Sequence, residues 1–113
     1  MRYNFARKNR LTTEAQFKQV FSKAQKKITT EIFTSYCYYN TFIYPRLGVI
    51  IPKRQVNKSS TRNLLKRLIR EWFRLHQDSL AKIDIVIVVS KKIESFSKLE
   101  IKEKLEDCLL NKL

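Results

Sequence analysis

Between Ser59 and His76 the apolar and basic positions separate at a helical period. On a wheel advancing about 100° per residue, Arg62, Asn63, Lys66, Arg67, Arg70 and Arg74 fall within an arc of roughly 140°. Leu64, Leu65, Leu68, Ile69, Trp72 and Leu75 cover the opposite side, with Phe73 at one border beside Arg62 and the one acid, Glu71, at the other. The pattern predicts a helix over 59–76 that anchors by its apolar side and presents cations on the other. Ser59 or Ser60 is the expected N-cap.

The same period predicts two further helices. Phe17, Val20, Phe21 and Ala24 recur at helical spacing over 12–24. Thr13 with Gln16 makes a capping box there, since hydroxyl and amide can satisfy each other's orphan backbone N–H groups. A last helix starts at Ser97 with Glu100 completing a second box, and Leu99, Leu105, Cys108 and Leu109 as its expected buried side. Between the helices the pattern changes. Residues 31–39 (EIFTSYCYY) are β-branched and aromatic and predict a strand. Asn40 and Thr41 suggest a turn, RLGVII at 46–51 predicts a second strand closed by Pro52, and a basic loop, KRQVNK, leads to the long helix. IDIVIVV at 83–89 is apolar enough for a central strand covered on both faces. The order is α-β-β-α-β-α, in which 46–51, 59–76 and 83–89 form a β-α-β unit. Its two strands are parallel if adjacent. The expected fold is α+β, a single domain over residues 1–113 with a mixed sheet of about four strands packed with helices.

Composition adds a partner class. The 113 residues are 43% hydrophobic, with seven Phe, five Tyr and one Trp, enough for a core. Lys plus Arg number 24 against 10 Asp plus Glu, a net charge of +14. Self-repulsion at that charge works against a compact monomer, and a polyanion relieves it. Nucleic acid is the leading candidate, because phosphate contacts release counterions. A membrane is disfavoured: no apolar run is long enough to span one, and MRYNFARKNR lacks the apolar core of a signal peptide. A cytoplasmic protein is expected. Cys37 and Cys108 read as reduced thiols, and no Cys/His cluster has zinc spacing. His76, the lone histidine, reads as a helix-end imidazole rather than a general base. No nucleophile, base and orienting group stand together as a protein active site requires.

The segment RLGVIIPKRQVNKSSTRNLLKRLIREWFR, residues 46–74, resembles the signature region of the bacterial ribonuclease P protein family. That family carries an Arg-Asn-Arg core followed by an aliphatic residue, Lys-Arg, two more residues and a basic one. Arg62-Asn63, Leu65, Lys66-Arg67 and Arg70 match it. The resemblance extends to Arg46-Leu47-Gly48, Lys53-Arg54, Asn9-Arg10-Leu11, Phe17, Val20 and Phe21, and to the strand 83–89 followed by Lys91-Lys92. Leu64 departs from it, standing where the second arginine is usual, and so does Ser59, where alanine is usual. The wheel keeps the basic arc continuous despite Leu64.

The resemblance implies the small subunit of a ribonucleoprotein that removes the 5′ leader from precursor tRNA. The catalyst would be the RNA subunit, with divalent metal (Mg) held mainly by RNA and no catalytic or metal-binding residue on this chain. It implies a left-handed β-α-β crossover. It assigns Arg62, Asn63, Lys66, Arg67 and Arg70, with Lys53 and Arg54, to the RNA subunit. A cleft between the first helix and the sheet would take the single-stranded leader. Phe17 and Phe21, one helical turn apart, are expected to line it, because bases stack on aromatic rings whatever their sequence. Tyr36 and Phe33 lie on opposite faces of their strand by alternation, and Tyr36 is expected on the cleft. The partners are thus the catalytic RNA and precursor tRNA, with neither membrane nor DNA. A structural RNA-binding protein, such as a small ribosomal protein, is the alternative; it shares the charge but does not require the Arg-Asn-x-x-Lys-Arg order. A helix-turn-helix DNA binder needs a short helix where strand 46–51 lies, and a self-sufficient nuclease needs clustered carboxylates for metal.

Overall fold

Three helices, four strands and two 3-10 turns organise the described residues, 7–41, 44–80, 82–90 and 96–109, of the computed structural model. They run α1 (Glu14–Lys23), β1 (Lys26–Thr29), β2 (Phe33–Tyr39), β3 (Arg46–Ile50), α2 (Ser59–Leu75), β4 (Ile83–Val89) and α3 (Lys98–Leu109), with 3-10 turns at Arg7–Asn9 and Gln77–Leu80. The sheet order is β1-β2-β4-β3. β4 is antiparallel to β2 and parallel to β3, Leu47 facing Ile85 and Val49 facing Ile87. The β-α-β unit therefore joins adjacent strands, and the sheet is mixed.

β1 is absent from the pattern-based order. Its four residues, KKIT, bury only Ile28, too few for alternation to show. Lysines on a short outer strand also discourage pairing with other chains. β2 begins at Phe33 rather than 31, because the backbone N–H of Phe33 bonds to the Thr30 hydroxyl (3.1 Å) and that of Thr30 to the Phe33 carbonyl (2.8 Å), closing a turn over Glu31 and Ile32.

β4 sits inside the sheet and is covered on both faces. On one, Ile85, Ile87, Phe33, Cys37 and Leu47 join Leu65, Ile69, Trp72 and Phe73 of α2 and Ile101 and Leu105 of α3. Complete burial of a side chain such as Leu65 or Phe73 contributes about 1.5–3 kcal/mol. On the other, Val86 meets Leu11 and Val20, with Phe17, Tyr36, Tyr38, Ile50 and Val88 packed around them. Cys37 is a buried thiol in no disulfide among the described residues; the side chain of Cys108 lies outside the described residues, as do Lys91 and Lys92.

Both capping boxes form. Gln16 Oε1 accepts from the Thr13 backbone N–H (3.0 Å) while Thr13 Oγ1 accepts from that of Gln16 (3.2 Å). Ser97 and Glu100 repeat the exchange at 3.0 and 3.2 Å. The Ser97 backbone N–H and then its hydroxyl hold the Glu100 carboxyl below its usual range. Phe96 packs on the core that contains Ile101, as a hydrophobic staple does. Two expectations are corrected. The N-cap of α2 is Lys58, without a side-chain cap; Ser59 and Ser60 lie in the first turn, exposed. Leu99 is 67% exposed; Leu105 is buried as expected, and Ile101, four residues before it, takes the place of Leu99 in the buried stripe of α3, while the side chains of Cys108 and Leu109 lie outside the described residues. His76 caps the C-terminus of α2, its Nδ1 2.8 Å from the Trp72 carbonyl oxygen and its Nε2 3.4 Å from Glu106 on α3.

The α1 face is closed at one end by a buried ion pair. Asp84, fully buried, accepts from Arg46 Nε (2.8 Å), Arg46 Nη2 (2.5 Å) and Asn40 Nδ2 (2.7 Å). The bond to Asp84 raises the Arg46 guanidinium above its ordinary range, with burial pulling the other way. Arg46→Ala strands the carboxylate, and we expect a loss of about 3–5 kcal/mol in urea unfolding. Arg46→Lys should recover part of it, because an ammonium cannot make the two-pronged contact.

Gly48, the only glycine, lies under the ring of Phe17. A Cβ there would come within 2.5 Å of Phe17 Cε1 and 3.2 Å of Leu11 Cδ1. Gly48→Ala should therefore cost about 1–3 kcal/mol by pushing the ring off its seat. In a Phe17→Ala background the same change should be neutral or mildly stabilising, since alanine suits a strand better than glycine. Simple additivity of the two losses in denaturant titrations would show that the ring contact is not the cause.

Candidate nucleic-acid interface

Because α2 spends its apolar side on the sheet and α3, its basic arc is left to solvent. Asn63, Arg67 and Arg70 are exposed and Lys66 is half-buried. With Arg10, Glu71 and Arg74 they line a groove of about 620 Å³. Among the described residues Lys66 and Arg67 make no ion pair. Arg74 does, donating from Nε (3.1 Å) and Nη2 to the Glu71 carboxylate. That contact holds the Glu71 carboxyl below its ordinary range. Glu71 and Arg74 largely cancel, so the net charge of the groove comes from Arg10, Lys66, Arg67 and Arg70.

The other residues expected on this surface are placed differently. Arg62 turns under the helix start, its Nη1 donating to the carbonyls of Ile51 (2.5 Å) and Val56 (3.3 Å). It pins the β3–α2 loop and does not line the groove. Lys53 and Arg54 are exposed in that loop, whose turn closes through Gln55 and Val56 N–H bonds to the Pro52 carbonyl at 3.0 and 3.1 Å. Leu64 points toward α3, lining a separate cavity with Phe96 and Ile101. The missing motif arginine thus falls outside the basic groove.

The aromatic residues meet on the opposite sheet face. Phe21, 40% exposed, stands edge-on to Tyr36 with centroids 4.9 Å apart and ring planes at 77°. Lys27 Nζ lies 5.4 Å from the Tyr36 ring centre, within cation–π range. Phe17 packs on the same face, over Gly48. Phe33 is fully buried on the α2 side. Half-buried rings beside a lysine suit base stacking with a nearby phosphate.

The two surfaces connect around β3. A pocket of about 240 Å³ is lined by Arg10, Leu11, Thr12 and Phe17 from the N-terminal side, Leu47 and Val49 of β3, and Lys66 and Arg70 of α2. Arg10, Lys66 and Arg70 line both this pocket and the basic groove. Arg10 and Lys27 were not expected at the site. Asn9-Arg10-Leu11 was a visible signal for the first; Lys27 belongs to a strand too short to predict. Among the described residues no group of three or more His, Cys, Asp or Glu can hold a metal ion, and no helix is long and apolar enough to cross a membrane.

Comparison with known proteins follows the same residues. The family model for Ribonuclease P matches residues 5–113. The ribonuclease P protein component of Pseudomonas fluorescens (strain Pf0-1) is 46% identical over 91 residues, 80% of this chain and 68% of that protein. The RNase P protein of Staphylococcus aureus has a similar structure, with a TM-score of 0.82 at 26% identity, covering 89% of this chain and 92% of that one. That of Thermotoga maritima gives 0.77 at 30% identity, covering 88% and 94%. On motif order, topology and relatives together, the chain belongs to the ribonuclease P protein family.

Proposed function

We propose that this subunit works by binding two RNAs: the catalytic RNA through the basic side of α2, and the 5′ leader of precursor tRNA along the aromatic face of α1 and the sheet. The observation that carries the proposal is the placement of Asn63, Lys66, Arg67 and Arg70 on one groove, joined around β3 to the face bearing Phe17, Phe21 and Tyr36. Arginine forks and a lysine suit phosphate, and half-exposed rings suit unpaired bases of any sequence. Lys53 and Arg54 extend the RNA contact at the start of α2. Arg62 contributes by holding the β3–α2 loop, and Asn63 stands beside it.

Hydrolysis is assigned to the RNA subunit, with Mg held by RNA. The described residues of this chain do not fit a metal site, since no three acids or imidazoles converge. The protein's part is to place the precursor tRNA: it neutralises phosphate repulsion where the RNAs approach and holds the leader away from the duplex.

Reconstitution with the RNA subunit tests this. The protein alone should not cleave precursor tRNA; cleavage by RNA-free protein would overturn the mechanism. Lys66→Ala and Arg67→Ala should weaken assembly severalfold and make it less salt-dependent. Phe21→Ala and Tyr36→Ala should leave assembly intact and lose about 1–3 kcal/mol of preference for precursor over mature tRNA. Arg62→Ala should lower unfolding stability by about 1–3 kcal/mol, because two loop carbonyls lose their donor, and Arg67→Ala should not.

A further inference from the structure

The two proposed RNA surfaces lie on opposite faces of one sheet, so a strand touching both must pass around an edge. The sheet order makes β1 and β3 the edges, and β3 is the one beside α2. At that edge the chain before α1 is fastened to β3. The Leu11 N–H bonds to the Leu47 carbonyl at 2.9 Å, Arg10 forms a parallel bridge with Leu47, and the buried Asn9 donates to the Pro45 carbonyl at 2.7 Å. These bonds fix the backbone of Arg10 as an added residue of the sheet. Its side chain is exposed and lines both the basic groove and the smaller pocket beside Phe17.

We infer that Arg10 is a positioning residue for the substrate, gripping a leader phosphate as the strand rounds the β3 edge from the Lys66–Arg70 side to the Phe17 ring. The inference rests on the leader-binding reading above and names a contact within it. Two features favour substrate over RNA-subunit binding. Arg10 shares the smaller pocket with Phe17, whose ring is seated on Gly48. The backbone around it is also held to the β3 side by the bridge to Leu47, which includes the Leu11 N–H bond, and by the Asn9 side chain, independently of α2, so its position relative to Phe17 is set before any RNA arrives. With the backbone already fixed, only the side chain has to be ordered on binding, which lessens the entropy lost in a phosphate contact. Lys66 and Arg70 border the same pocket and supply a cationic wall, so the strand meets positive charge on one side and an aromatic ring on the other.

The test uses the reconstituted holoenzyme with Arg10→Ala, Arg10→Lys and Phe17→Ala proteins. Each is titrated with mature tRNA and with precursor tRNAs whose leaders lengthen one nucleotide at a time. Arg10→Ala should reduce the leader-dependent gain in affinity about tenfold, the loss appearing at one leader length and persisting beyond it. The slope of log affinity against log salt should become shallower by about 0.7, the value for one single-strand phosphate. Arg10→Lys should restore the slope and part of the affinity. Assembly with the RNA subunit and the unfolding midpoint should stay within twofold and a degree or two of the parent. A loss with Phe17→Ala and none with Arg10→Ala overturns the assignment of Arg10 while leaving leader binding in place. No loss with either overturns both. A loss with Arg10→Ala that is equal for mature and precursor tRNA, or that follows weakened assembly, also overturns it, because Arg10 then serves the RNA subunit.

Discussion

Everything in this molecule depends on β4 being buried on both faces. A strand covered on one side only would leave Val86 and Val88, or Ile85 and Ile87, in water. Here α2 and α3 take one row and α1 with Leu11 takes the other. That two-sided burial fixes where the functional chemistry can go. The basic helix is committed to one face and the aromatic cluster to the other, and a four-stranded sheet separates them. Among the described residues a short route between them runs around the rim of β3, where Gly48, the Phe17 ring and the pinned segment 9–11 converge.

Charge is distributed with the same economy. The deeply buried carboxylate among the described residues, Asp84, is matched by Arg46 and Asn40. An isolated charge in that position would be severely penalised. Glu71 is matched by Arg74, Glu14 by Lys18 and Glu31 by Lys104. Arg10, Lys66, Arg67 and Arg70 add to the Glu71–Arg74 pair along the outer side of α2, a surface suited to phosphate. The groove beside α2 thus concentrates part of the chain's net positive charge on one surface.

The aromatic face owes its openness to α1 being short and narrow. Ten residues bury only Val20 completely, leaving Phe17 half-buried against the sheet and Phe21 exposed beside Tyr36. A longer helix with a wider apolar stripe would close this surface. The proposed stacking of unpaired bases would draw on this incomplete coverage of the sheet: rings that are partly wet in the free protein gain most from stacking.

Local pattern alone determined the elements that repeat over many residues: the period of α2, the two capping boxes, the unbroken apolar run of β4, and the family motif carried by Arg62, Asn63, Lys66, Arg67 and Arg70. Each depends on neighbours within a few positions, where backbone geometry dictates which side chains share a face. Tertiary structure decided what those faces meet. Nothing near Leu99 reveals that α3 would bury Ile101 in its place, beside the expected Leu105. Nothing local to Arg62 shows that its guanidinium would turn inward to the carbonyls of Ile51 and Val56, since helical position sets direction but not the distance to a loop folded beneath it. β1 exists because β2 offers it an edge, and its own four residues bury one side chain. Gly48 and Phe17 lie 31 positions apart in sequence, Arg10 and Leu47 37 apart. Such pairs are made by the packing of α1 across the sheet, and only the folded chain could reveal that a basic residue before the first helix stands between the two surfaces.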